Sequence, residues 1–144
     1  EQLAGAAPAL AFAAVYTALG YMLFAIIMAS VGALGTNLRE RQQMAGLFSF
    51  SATLPYMLSG LLFTNPNAGI ARVLSFFPLT APAMMTLRIP LGPVPLEDII
   101  GSILVLVLTI PFVMWLGARV FRMGLLMYGK RPTLKEIARY VREA

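Results

Sequence analysis

The chain has 144 residues, 59% of them hydrophobic and only 12% charged, with a mean hydropathy of +0.80. Soluble domains carry about 25% charged residues, so the composition excludes a water-soluble globule although the length would suit one. The net charge of +5 and the pI near 10.1 do not imply nucleic acid, because the basic residues flank apolar runs and form no soluble basic face.

The chain opens on Glu1 and runs straight into apolar sequence. No basic leader precedes that run, so it does not read as a signal peptide. The expectation is a processed segment, or the first half of a larger subunit, upstream. No charge occurs from Leu3 to Leu38. About 20 apolar residues cross a bilayer as a helix, which places a first span at about residues 9–34. A second span follows at about residues 44–63 and a third at 99–118. All three must be helices, because lipid offers the backbone no hydrogen-bond partner.

Residues 73–91 are too short and too interrupted to cross. Pro78 and Pro82 break their uncharged part, residues 73–87, and Pro90, Pro93 and Pro95 follow it. Such a stretch reads as re-entrant or interfacial, a conformation tolerated at membrane depth only against protein or a wet cavity. The fold class is therefore all-α: a membrane bundle of three spans, a Pro-broken re-entrant hairpin and a tail at residues 119–144.

Of the 11 basic residues, all but Arg72 and Arg88 fall after the first span or after the third. Basic residues favour the cytoplasmic side. The first loop and the tail are thus expected inside, the Pro-rich segment outside, with Glu97 and Asp98 at the outer mouth of the third span. The tail carries Thr133 and Glu136 at capping-box spacing. Leu134, Ile137 and Val141 then share one face, giving a short amphipathic helix. It either lies on anionic lipid or touches a cytoplasmic partner. Trp115 and Tyr128 suit the inner interface.

Small residues recur on the first span at Ala25, Ala29, Gly32 and Ala33. Such a stripe lets helices approach closely, either in generic packing or at a subunit interface. The segment Thr36–Gln43 reads as a polar connecting loop, in which Arg39, Glu40, Arg41, Gln42 and Gln43 could also dock a soluble subunit. Gly124–Lys130 matches the opening of a P-loop. It lacks the following Ser or Thr and has no preceding strand, so no nucleotide site is expected here. The chain has no Cys and no His. The spans hold no paired carboxylates, so neither a catalytic residue, a metal ligand nor a cofactor site is assigned.

Three stretches together carry a resemblance: Gly20–Gly46 (GYMLFAIIMASVGALGTNLRERQQMAG), Phe76–Gly92 (FFPLTAPAMMTLRIPLG) and Ala118–Arg139 (ARVFRMGLLMYGKRPTLKEIAR). The PLTAP and YGKRPTLKE pieces are the most specific. In this order the stretches resemble the carboxyl-terminal half of ABC transporter permeases of the type-2 exporter family, notably the sodium-extrusion-type branch. The resemblance implies the last three of six spans in a plasma-membrane exporter subunit. It also implies a second permease, identical or different, and separate cytoplasmic ATP-binding subunits that hydrolyse ATP. Pro78, Thr80, Pro82 and Arg88 would belong to re-entrant helices closing the outer side. Arg39–Gln43 would be a short ATPase contact. Arg41 departs from the Ala that the family often places there. The competing reading is a membrane anchor or scaffold that transports nothing.

Overall fold

The computed structural model describes residues 2–126 and 133–143, and these form seven helices. Helices α1 (Gln2–Leu34) and α6 (Leu96–Leu126) are long and apolar. Helix α2 (Leu38–Met57) continues, after a break, as α3 (Ser59–Thr64). These supply three segments long and apolar enough to span a membrane: Ala6–Leu34, Leu38–Thr64 and Leu96–Met123. The chain is a multi-pass membrane protein and, among the described residues, contains no strand.

The break in the second span follows shortly after a proline. Pro55 lies inside α2, where it lacks an N–H and crowds the preceding turn. The backbone departs from α-geometry at Leu58, whose N–H is shared between the carbonyls of Leu54 and Pro55 at 3.3 and 3.2 Å. At its other end α2 begins earlier than expected. Arg39–Gln43 form its first turn, not a loop. Thr36 donates to Glu40 Oε2 through its hydroxyl at 2.9 Å, so a side chain one turn inside closes the entry to the helix.

Helices α4 (Gly69–Phe76) and α5 (Ala81–Leu91) form the interrupted hairpin. At 1.5 Å per residue they reach roughly 12 and 16 Å, well short of the roughly 30 Å hydrocarbon core. Pro78 lies in the turn. Pro82 starts α5, where a missing N–H costs nothing. Both feet of the hairpin sit at one end of the bundle, here called the hairpin end. There Asn67 Nδ2 donates to the Pro93 carbonyl at 2.9 Å and joins the loop before α4 to the loop before α6.

Spans α1 and α6 run parallel and pack along their length. On α1 the buried stripe is Tyr16, Leu23, Ile27 and Val31; on α6 it is Ile99, Leu106 and Ile110. The recurrent four- and seven-residue spacings keep each stripe on one helix face, as in interlocking helices. Leu62, Ala71 and Met84 make a smaller core under the hairpin.

Helix α7 (Leu134–Glu143) meets the opposite, tail end of α6. Glu136 Oε2 accepts from the Thr133 N–H at 3.0 Å, one half of the expected capping box. Arg119 lies over the Trp115 ring at 3.8 Å and donates to the Val141 carbonyl, tying α7 to the end of the span. Tyr128 and the Gly129-Lys130 part of the P-loop-like segment lie outside the described residues.

Candidate functional site

The site is built around the hairpin. Thr80 closes its turn: the buried hydroxyl donates to the carbonyls of Leu74 and Phe77 at 2.6 and 3.2 Å. Pro82 then presses against Gly20 of α1. A Cβ at Gly20 would lie 2.7 Å from Pro82 Cβ, so only glycine permits this approach.

Arg88, on α5, is the largest fully buried side chain described. A full set of acceptors surrounds it. Its Nε donates to the Pro66 carbonyl at 2.8 Å and Nη1 to Ser75 Oγ at 2.6 Å. Nη2 donates to Asn67 Oδ1 and to Asp98 Oδ2, both at 2.9 Å. Asp98 is itself fully buried in the first turn of α6, where the positive end of the helix favours a carboxylate. Its Oδ1 also receives Arg72 Nη2 of α4 at 2.8 Å. One carboxylate thus clasps both arms of the hairpin to the third span. The Arg72 side chain is 47% exposed. Its hydrogen bond to Asp98, and then the charge of that carboxylate, raise its pKa further above the ordinary arginine value. Among the described residues, no buried side-chain polar atom lacks a partner.

One turn deeper, the buried Tyr16 hydroxyl donates to the Ile99 carbonyl at 3.1 Å and lies 2.5 Å from Ser102 Oγ. This clip holds α1 to α6 beside the clasp. Below the hairpin tip a cavity of about 370 Å³ extends toward the tail end between α1, α2 and α6. Phe77, Pro78 and Leu79 roof it. A second, more open cavity of about 330 Å³ lies between α1, α2 and α5, lined in part by Tyr16, Tyr21 and Tyr56.

The hairpin thus lies between the second and third spans. The family model described as "ABC-2 family transporter protein" matches residues 4–119. The chain belongs to this family. It is therefore a membrane component of the ABC-2 permease type. Two curated relatives are similar to it. The uncharacterized protein MJ1024 of Methanocaldococcus jannaschii is 27% identical over 90% of this chain. The uncharacterized protein YhaP of Bacillus subtilis is 29% identical over 92% of it. The chain spans 32% of the length of each. No solved structure matches it.

Within this ABC-2 fold, Pro78, Thr80, Pro82 and Arg88 all fall on the hairpin, but at different depths. Pro78 is at the tip, Thr80 and Pro82 begin α5, and Arg88 is near the feet. Arg39, Arg41, Gln42 and Gln43 are exposed on the first turn of α2 at the tail end. Arg41 Nε folds back onto the Gly35 carbonyl at 2.8 Å. Ala25, Ala29 and Gly32 are exposed and Ala33 is half-buried, and a Cβ at Gly32 would meet nothing within 4 Å. The seam with α6 runs along the neighbouring face.

Two features escaped the sequence reading. The first is the clasp, since Arg72, Arg88 and Asp98 lie on three helices. A usable signal was the pairing of the two basic residues left at the hairpin end with acids in the next loop. The second is a face of the second span, running from α2 into α3. Gly46, Ser49, Thr53, Tyr56 and Gly60 are exposed at three- and four-residue spacing, beside an exposed apolar face of Leu47, Phe50, Met57 and Leu61. The apolar face suits lipid. The small and polar face does not.

Proposed function

We propose that this chain is the pathway-forming part of an ABC exporter: the last three spans of a six-span subunit of the sodium-extrusion-type branch. Its tail faces the cytoplasm of a plasma-membrane protein. A second permease packs against it, and separate cytoplasmic subunits bind and hydrolyse ATP. The observation that carries this reading is the hairpin itself. A passive anchor has no need for irregular backbone roofing a cavity, nor for a buried Arg–Asp pair to hold it there, since burying two charges is costly.

In this reading the hairpin closes the pathway on the outer side, and the clasp sets its rest position. The small, polar face of α2 lines the route or meets the second permease. The first turn of α2, at Arg39–Gln43, contacts the ATPase. The Ala25, Ala29, Gly32 and Ala33 stripe, which α6 leaves uncovered, is available to another helix of the assembly. The distribution of basic residues supports the orientation.

The test is the double substitution Pro78→Ala/Pro82→Ala in the complete natural gene product, read by ATP-dependent export in inverted membrane vesicles. Relaxing the turn should impair export while membrane insertion stays intact. Normal export would remove the hairpin from the mechanism and return the anchor reading to the front.

A further inference from the structure

We propose that the cavity beneath the hairpin tip holds one acyl chain of an anionic phospholipid from the tail-side leaflet, with Arg41 at its mouth taking the headgroup phosphate. This does not depend on the exporter reading, since a lipid can occupy the slot whether or not anything is transported.

The cavity, about 370 Å³, lies in the size range of small-molecule sites, about 300–1,000 Å³. Two hydroxyl residues, Ser30 and Thr109, lie on its wall. Both are spent on their own helices: Ser30 Oγ donates to the Ile26 carbonyl at 2.8 Å, and Thr109 Oγ1 to the Val105 carbonyl at 2.6 Å. Each hydroxyl keeps only acceptor lone pairs, too few for the shell of six or more oxygens a hard cation takes or for the two to four polar partners a water molecule needs. What remains is hydrocarbon. On α6 the wall runs from Thr109 to Val120, a rise of roughly 16 Å. Half of a roughly 30 Å hydrocarbon core is about 15 Å. The slot therefore has the length of one leaflet and stops at the hairpin tip.

The mouth has its own chemistry. Met44 and Phe48 line the cavity on α2, and Arg41 lies one turn earlier on the same face. Its stem packs against Gly35, and its Nε is tied to the Gly35 carbonyl. Its two Nη groups have no hydrogen-bond partner among the described residues, and the side chain is exposed. A guanidinium anchored at Nε, with Nη free, suits a phosphate oxygen through charge-assisted hydrogen bonds. An apolar, leaflet-long slot with a fixed cation at its open end fits an anionic two-part ligand.

The experiment uses the complete protein in nanodiscs of phosphatidylcholine doped with phosphatidylglycerol that carries a diazirine on its acyl chain. Illumination is followed by peptide mapping. Label should concentrate on peptides covering residues 23–34 and 109–120. Val113→Phe and Thr109→Phe, which fill the slot, should each abolish most of that label without lowering the melting temperature. Leu108→Phe, on the exposed face, should not. Arg41→Gln should reduce the preference for this probe over its phosphatidylcholine counterpart by about fivefold, while the chain still enters. Label confined to the exposed face around Leu108 would overturn the site. So would filled variants that label normally, or that melt earlier because protein already occupies the slot. Equal labelling by both probes, indifferent to Arg41→Gln, would overturn the headgroup assignment. Mapping on the unsubstituted protein decides the matter even if neither filled variant folds.

Discussion

Replacing Asp98 by Asn should free the hairpin from the third span. The exchange keeps the shape of the side chain and removes the charge that two guanidiniums share. Arg72 loses little, because its side chain is 47% exposed and can turn to solvent or headgroups. Arg88 is fully buried and cannot. Its carbonyl, hydroxyl and amide acceptors remain, but its counter-charge is gone. Breaking a buried ion pair from one side costs about 3–5 kcal/mol. With each 1.4 kcal/mol worth tenfold, local opening of α4 and α5 should become roughly 100- to 4,000-fold more frequent. Hydrogen exchange read by mass spectrometry on peptides covering residues 66–95 measures that opening directly. The Arg88→Met substitution alone leaves Asp98 paired with Arg72 and should cost less. Contacting residues couple by about 0.5–3 kcal/mol, and the Asp98→Asn/Arg88→Met double substitution should fall short of the sum by about 2 kcal/mol, toward the upper end of that range. If exchange in α4 and α5 is unchanged in Asp98→Asn, or if the two substitutions simply add, the clasp does not hold the hairpin.

The other predictions concern approach and exposed faces. Gly20→Val should force α5 away from α1 and destabilise the bundle by about 1–3 kcal/mol, because Pro82 is a rigid neighbour at 2.7 Å. A melting curve checks it, with Gly32→Ala as the control that should not lower the melting temperature of this chain, since no atom lies within 4 Å of its Cβ and alanine favours a helix over glycine by up to about 1 kcal/mol. If the polar face of α2 lines the pathway or a permease interface, Thr53→Trp should impair export. Phe50→Trp, on the lipid-suited face of the same helix, should leave it intact, with both variants inserting normally. The paired export assay separates these outcomes.

Much of the architecture was readable because lipid imposes a blunt rule. A run without charges must be helical and must be long enough, so the three spans could be placed from Leu3–Leu38 and its two counterparts. The prolines likewise announced the hairpin, because a break of that kind leaves backbone groups needing protein partners. The buried face of α1 was not readable. The helix is apolar all round, and periodicity says nothing about which side meets α6. Its uncharged small residues drew notice, while the α1–α6 seam formed on Tyr16, Leu23, Ile27 and Val31. The start of α2 was hidden for a related reason. Arg39–Gln43 are polar and read as a loop by hydropathy, yet Thr36 and Glu40 close a helical turn there. The clasp was hardest to see. Arg72 and Arg88 are separated from Asp98 by 26 and 10 positions, and only the fold brings them together. Placing Asp98 at the outer mouth of the third span gave it a position but not its role, which is to balance a buried arginine.

The central claim, that this ABC-2 chain works with separate ATPases, is tested most directly by purification. The complete gene product is tagged at its tail, extracted in mild detergent and analysed by mass spectrometry for stoichiometric partners. The account predicts a soluble ATP-binding subunit, with hydrolysis that depends on the intact complex. A clean preparation without an ATPase, unchanged after crosslinking in membranes, would contradict it.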